Sequence, residues 1–310
     1  MNSPKWSRAL SYFGNTLAIA SLVFIGIKLK DSIHTLPPIR WDIGSISSIA
    51  FSLIFWTAAF ALTVFAWRLL LGKYSNALSY RDAFIVLGRS QIAKYLPGNV
   101  FHYVGRVTLG AQKGLPSKAI ILSAGTEAVL DTATVSFFTV VSVLINPAAI
   151  PLISSYMPLG VRLMVIVSLL LVALCGFLLF RKRIIPWFAE HREYFHAGRV
   201  VPVLLIYMAV FLFVGIMMVV LLGGLWGVQT DVPWYQLSFG FAIAWLIGFV
   251  TPGAAGGIGI REAVFVALFG SQLGEGIAVG IIIAVRIVTI ISDVVNFGIA
   301  VGLERGENVK

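Results

Sequence analysis

The sequence predicts an all-α polytopic membrane protein with about six spanning helices and two opposed re-entrant helical hairpins in an inverted repeat. Of its 310 residues, 59% are hydrophobic and only 12% are charged, and the mean hydropathy is +0.94. Soluble domains carry about 25% charged residues. Several segments exceed the roughly 20 apolar residues that cross a hydrocarbon core. Two more apolar segments are broken near the middle by a Pro-Gly pair, and irregular backbone at membrane depth persists only where protein or a water-filled cavity covers it.

The uninterrupted apolar segments are the predicted spanning helices, and the two broken segments are the predicted hairpins. The six spans are Ala9–Ile27, Ser45–Leu71, Ala119–Ile145, Val161–Phe180, Val201–Gly223 and Ile277–Leu303. The hairpin segments are Asp82–Gln112 and Tyr235–Ser271, each interpreted as half a helix, a Pro/Gly turn and a second half-helix. A cytoplasmic interfacial helix is the alternative for the first of them.

Loop charges predict the orientation of these spans. With the N-terminus in the cytoplasm, most Lys and Arg residues in loops fall on the inner side, including the run Arg181–Arg183. The outer side receives Lys28, Lys30, Arg40 and Arg162. This excess follows the positive-inside rule, so both termini are predicted to be cytoplasmic.

The whole chain, residues 1–310, is predicted to form one integral membrane domain with two halves, residues 1–150 and 151–310. Each half holds three spans and one hairpin, so each crosses the membrane an odd number of times and the halves are inverted relative to each other. Inverted repeats with broken helices at mid-membrane recur among transporters.

The two hairpins carry related motifs, "KYLPGNVFHYVGR" (Lys94–Arg106) and "TPGAAGGIGIRE" (Thr251–Glu262), each with an arginine nine residues after the proline. Unpaired backbone amides at half-helix N-termini favour anions, and guanidinium groups suit phosphate. The alternative is that each arginine bonds freed carbonyls or pairs with an acid. The predicted substrate-binding residues are Lys94, Gly98, Asn99, His102, Arg106, Gly253, Gly257 and Arg261.

Charged residues within the spans predict a second set of functional groups, because ionisable residues at membrane depth are functional-site candidates. Glu127 and Asp131 lie four residues apart and share a helix face, as do Arg286 and Asp293, seven apart. Glu262 directly follows Arg261. The acids among them either neutralise the arginines or bind a cationic headgroup. Alternatively, they form a proton-sensitive network that couples transport to a gradient.

Other functional classes find little support in the sequence. It contains no Gly-x-Ser-x-Gly, His-Glu-x-x-His or Walker motif, and its four histidines are scattered. Its single cysteine, Cys175, excludes a disulfide framework. We therefore predict no catalytic residues, no metal, no cofactor and no nucleic-acid partner.

The two hairpin motifs resemble the signature stretches of the lysylphosphatidylglycerol synthase transmembrane-region (flippase-domain) family. The matching positions are Lys94, Tyr95, Leu96, Pro97, Gly98 and Arg106, then Pro252, Gly253, Gly256, Gly257, Gly259 and Glu262. The stretch "PGAAGGIG" departs from the family by placing two extra residues between Pro-Gly and Gly-x-Gly. The resemblance implies a stand-alone member, without the aminoacyl-transferase domain, in the bacterial cytoplasmic (inner) membrane.

The function that the resemblance implies is translocation of an anionic, aminoacylated or polyprenyl-phosphate-linked lipid across that membrane. The predicted partners are membrane lipids, with a homo-oligomer or envelope-synthesis enzymes as further possibilities. Two alternatives stay open at this point: an intramembrane enzyme acting on lipid phosphate, and a non-transporting scaffold for envelope synthesis.

Overall fold

The computed structural model describes residues 38–95, 101–145, 196–251 and 259–308, and within these ranges it is built of helices without β-strands. The eight α-helices are α1 (Ile43–Leu70), α2 (Tyr80–Gln91), α3 (Phe101–Gln112), α4 (Ser117–Ile145), α5 (Ala197–Trp226), α6 (Trp234–Val250), α7 (Ile260–Leu273) and α8 (Glu275–Asn308). Short 3-10 turns, Gly72–Tyr74 and Ile92–Tyr95, follow α1 and α2. The all-α prediction is confirmed.

Four of these helices are long and apolar enough to cross a membrane. The spans are Ile43–Leu70, Ser117–Val141, Ala197–Trp226 and Glu275–Gly306, which correspond to four of the six predicted spans. The other two predicted spans, Ala9–Ile27 and Val161–Phe180, lie outside the described residues. The chain is therefore a polytopic α-helical membrane protein.

Local sequence signals explain where the span α1 begins and where the span α5 ends. The Asp42 side chain caps α1 by accepting a hydrogen bond from the amide of Ser45 at 2.9 Å. Helix α5 ends at Gly227, whose left-handed backbone (φ 67°) suits glycine. Its amide donates to the carbonyl of Gly223 at 2.9 Å. These caps satisfy backbone groups that the helix itself leaves unpaired.

The two predicted hairpin segments each form a pair of short helices that pack against each other. Helices α2 and α3 have 12 residues each, and α6 and α7 have 17 and 14. All four are shorter than the roughly 20 residues that cross a membrane. Residues 96–100 and 252–258, which join the arms, lie outside the described residues. The paired short helices are the two half-helices predicted for each segment, and their re-entrant position in the membrane stays a prediction.

Helix contacts come in matched pairs when α1–α4 are compared with α5–α8. The first arm of each hairpin packs on the last helix of the other half, α2 on α8 and α6 on α4. The second arms pack on the last helix of their own half, α3 on α4 and α7 on α8, and α1 packs on α5. The contacts of residues 38–145 thus correspond to those of residues 196–308, and the division of the chain into two inverted halves stays a prediction.

Helices α5 and α6 approach closely at Gly215. A Cβ atom added there would lie 1.9 Å from the carbonyl oxygen of Trp234 and 2.2 Å from Oγ of Ser238. The Ser238 hydroxyl also accepts a hydrogen bond from the Gly215 amide at 3.1 Å. Only glycine allows this contact, because the clash involves backbone.

We expect Gly215→Ala to destabilise the protein by about 1–3 kcal/mol or more, since overpacking a close helix contact forces backbone movement. The matched control is Gly223→Ala on the same helix, where an added Cβ meets nothing within 4 Å. That change should be neutral or slightly stabilising. Thermal unfolding of both purified variants in one detergent measures the difference, and equal melting temperatures would contradict the close packing of α5 on α6.

Candidate functional site: a charged cavity between the hairpins

A cavity of about 220 Å³ lies among the helices, and residues from all eight described helices line it. It brings together predicted site residues from both hairpins and from two spans. Those on its wall are Lys94, His102, Arg106, Glu127, Asp131, Arg261, Glu262 and Arg286. Predicted site residues separated by up to 192 positions along the chain therefore line one cavity.

Of the other predicted site residues, the structure describes Asp293. Asp293 is 3% exposed and contacts Lys94 of the cavity wall. Gly98, Asn99, Gly253 and Gly257 lie outside the described residues, so their predicted contributions stay predictions.

Arg106 is held by groups on three helices. It is 2% exposed, and its guanidinium binds the carboxylate of Glu127, with the longer of the two contacts (Nη2 to Oε1) at 3.4 Å. Its Cζ also lies 5.3 Å from the ring centroid of Trp67 and 5.6 Å from that of Tyr103. The carboxylate and the aromatic faces offset much of the cost of burying this cation, while its Nε has no hydrogen-bond partner among the described residues.

The second hairpin positions its charges through the start of α7. Gly259 precedes the helix with φ 89°, a conformation that favours glycine. Its amide donates to Oε2 of Glu262 at 2.7 Å, while Oε1 accepts from Nε of Arg286 at 2.8 Å. Arg261 instead stacks its guanidinium over Trp245, with Cζ 5.4 Å from the ring centroid.

Helix α8 contributes one charge to each hairpin. Its Asp293 lies 2.6 Å from Nζ of Lys94 in the first hairpin, and its Arg286 binds Glu262 in the second. The seven-residue spacing places both on one face of α8, as the sequence predicts. This helix therefore couples the two hairpins through buried ion pairs.

The charges form two groups. The first group has three cations and two carboxylates, so its formal charge is +1, and we call it the cationic cluster: Lys94, Arg261, Arg286, Asp293 and Glu262. Within it, Lys94 interacts electrostatically with Asp293 and with both arginines. We call Arg106, Glu127 and Asp131 the acidic cluster, with formal charge −1. One cavity thus offers sites for charge of both signs.

Two further ion pairs connect the helices of the first hairpin to each other and to α8. Lys113 lies 2.7 Å from Asp82, joining α3 to α2, and Arg89 binds Glu304 of α8 at 2.5 Å. Burial opposes ionisation of Asp82, but the hydrogen bonds and charge of Lys113 and the Ser79 hydroxyl outweigh it and lower the Asp82 pKa. Partly exposed pairs such as these contribute little stability.

Sequence reasoning missed two tyrosines on the cavity wall. Tyr103 stands inside the first hairpin motif, and Tyr207 interrupts the apolar run of α5. Tyr207 is 3% exposed, and its hydroxyl has no hydrogen-bond partner among the described residues. The sequence does contain a signal for Tyr207, which is a phenol in the middle of an apolar span. Buried Tyr hydroxyls usually have a hydrogen-bond partner, so its position predicts a polar environment inside the helix bundle.

Among the described residues, no group of three or more His, Cys, Asp and Glu side chains is placed to hold a metal ion. The prediction of no cofactor stays a prediction.

Apolar spanning helices around a cavity lined with charged residues define a polytopic membrane protein with a polar site among its helices. The family model described as "Lysylphosphatidylglycerol synthase TM region" matches residues 15–295, most of the chain, and the protein belongs to this family. The resemblance of the two hairpin motifs is thereby confirmed. No curated protein and no solved structure matches the chain.

Proposed function

We propose that the protein translocates a lipid headgroup across the bacterial cytoplasmic membrane through this cavity, without chemical change to the lipid. The observation that carries the proposal is a net cationic cluster on the wall of a cavity formed by spans and both hairpins. An ionised headgroup in hydrocarbon costs several kcal/mol or more. Fixed charges and aromatic faces inside the bundle replace the water that the headgroup loses.

The cationic cluster suits a phosphate. Guanidinium groups bind phosphate through paired hydrogen bonds, and an ammonium adds a point charge. Lys94 comes from the first hairpin, Arg261 from the second and Arg286 from α8, so a phosphate bound by all three would link both hairpins to α8. Movement of either hairpin would then alter the site.

The cavity size limits what the protein encloses. About 220 Å³ is less than the roughly 300–1,000 Å³ of sites that enclose a drug-sized ligand. A headgroup fits this space, and two acyl chains do not. The chains would therefore stay in the surrounding lipid during transfer, which is the arrangement expected of a headgroup translocator.

Family membership agrees with a lipid-related function at the membrane. The finer assignment, an anionic, aminoacylated or polyprenyl-linked lipid as cargo, is part of the proposal. Homo-oligomers and complexes with envelope-synthesis enzymes are compatible with it and are not needed for it.

Reconstitution into liposomes tests the proposal. Vesicles would carry acyl-labelled phosphatidylglycerol, phosphatidylethanolamine or lysyl-phosphatidylglycerol, and dithionite added outside would report the fluorophore fraction in the outer leaflet. We expect the wild-type protein to expose inner-leaflet label for at least one lipid, unlike protein-free vesicles. Absence of exposure for every lipid, from protein shown to be folded, would overturn translocation. Release of free headgroup in the same vesicles would favour an intramembrane enzyme instead.

A further inference from the structure

Asp131 differs from the other carboxylates at the cavity. Glu127 binds Arg106, Glu262 binds Arg286 and Asp293 binds Lys94. Within the part of the chain that the structure describes, Asp131 makes no ion pair or hydrogen bond. It lies one turn along α4 from Glu127 and interacts electrostatically with that carboxylate and with Arg106.

A second polar group on the cavity wall, within electrostatic range of Asp131, also lacks a hydrogen-bond partner among the described residues. The hydroxyl of Tyr207 reaches the same cavity from α5, is buried, and accepts no hydrogen bond from any described residue. It lies within electrostatic range of Glu127 and Asp131, as does Tyr103 on α3. Two acceptor groups and two aromatic rings therefore face the same part of the cavity, where the cation that interacts with Asp131 is Arg106, which is already bound to Glu127. Burying a hydroxyl such as that of Tyr207 without a partner is costly.

The charge count gives the sign of the missing group. The cavity and its contacts hold four cations, Lys94, Arg106, Arg261 and Arg286, and four carboxylates, Glu127, Asp131, Glu262 and Asp293. Adding a singly charged phosphate to the cationic cluster leaves a net charge of −1 inside the membrane. One positive charge at Asp131 restores neutrality, and uncompensated buried charge is strongly unfavourable.

We propose that Asp131 and Tyr207 form a binding site for one monovalent cationic group, separate from the cationic cluster. The ligand is either a primary ammonium on the headgroup itself or a free Na⁺ or K⁺ that accompanies an anionic headgroup. The carboxylate and the phenol oxygen accept hydrogen bonds from an ammonium or coordinate a metal cation, and the rings of Tyr103 and Tyr207 add cation–π attraction. This inference rests on the proposed function, because it treats the cavity as a headgroup site.

Ligand binding by the purified, detergent-solubilised protein tests this site without measuring transport. The probes are phosphoethanolamine, which carries phosphate and ammonium, and glycerol phosphate, which carries phosphate alone. Glycerol phosphate is titrated with Na⁺, K⁺ or N-methylglucamine as the only cation, and affinity is obtained from the rise in melting temperature. Preference for phosphoethanolamine identifies the ammonium as the ligand. Na⁺ or K⁺ dependence of glycerol phosphate binding identifies the free cation.

Asp131→Asn is expected to weaken binding of the favoured probe, phosphoethanolamine or glycerol phosphate with Na⁺ or K⁺, about tenfold. The preference or cation dependence should then disappear, since a hydrogen bond to a charged group contributes about a factor of ten in affinity. Binding of glycerol phosphate in N-methylglucamine should be unchanged. The matched control is Ser136→Ala on the exposed side of α4, which should behave as wild type. Tyr207→Phe removes only the hydroxyl and should give a smaller loss in the same direction, which keeps the test open if Asp131→Asn folds poorly.

Two results would overturn the site: wild-type protein that shows neither preference nor cation dependence, or an Asp131→Asn variant that retains the wild-type difference. Both are distinguishable from failure of the proposed function. Protein that binds these probes as expected but moves no lipid in vesicles would contradict translocation and leave the cation site intact.

Discussion

Alanine at Arg261 is expected to lower lipid translocation about ten- to a hundredfold while the protein stays folded. The change removes one of three cations from the cationic cluster, so its formal charge falls from +1 to 0. A hydrogen bond from a charged donor contributes about 1.5–3 kcal/mol, and each 1.4 kcal/mol is about tenfold. The measurement is the rate of label exposure to dithionite in reconstituted vesicles.

Two comparison variants sharpen this experiment. Arg261→Lys keeps the charge but loses the planar donor fork, so it should recover part of the rate. Arg305→Ala removes a cation from the exposed end of α8 and should leave the rate unchanged. If Arg261→Ala, reconstituted at the same density, translocated lipid as fast as Arg305→Ala, Arg261 would not hold the headgroup.

The helical architecture could be predicted because each element carries its own signal. Four spans follow from apolar length, and the described helix ends fall within a few residues of the predicted ones, as at Val201–Gly223 against Ala197–Trp226. The division of each hairpin segment into two short helices could be predicted from its Pro-Gly pair, because proline interrupts helices. These signals are local, so they can be recognised in the sequence without knowledge of how the helices pack.

The partners of the charged groups could be predicted only in part. The sequence places Glu262 beside Arg261, but adjacent helical residues point about 100° apart, and Glu262 binds Arg286 of α8 instead. Arg106 and Glu127 pair across 21 positions, and Lys94 and Asp293 across 199. Such pairs depend on which helices pack together, which periodicity along one helix does not encode.

The cavity wall shows the same limit. Residues that lie on a predicted polar face, such as Glu127 and Asp131, were found from their spacing. Tyr207 was not, because it stands among apolar residues and its position against α4 depends on the contact between α5 and α4. Its importance follows from the unpaired hydroxyl, which only the packed structure reveals.

Arg106→Ala is expected to destabilise the protein by about 3–5 kcal/mol, because it leaves the buried Glu127 carboxylate without its cation. Replacing both partners, Arg106→Met with Glu127→Gln, should recover most of that loss, since neither partner is then left as a charge without the other. Unfolding of the single and double variants in one detergent gives the coupling between the two residues. A partly exposed pair provides the control: Arg89→Ala at the Glu304 contact should cost less than about 1 kcal/mol.

The double variant also separates two explanations for any loss of transport at Arg106. If Arg106 serves only to hold α3 against α4, the stable double variant should translocate lipid at close to the wild-type rate. If its guanidinium also contacts the headgroup, as its place on the cavity wall allows, the double variant should be folded and inactive. An Arg106→Ala protein as stable as wild type would contradict the buried ion pair itself, because a carboxylate so enclosed requires compensation.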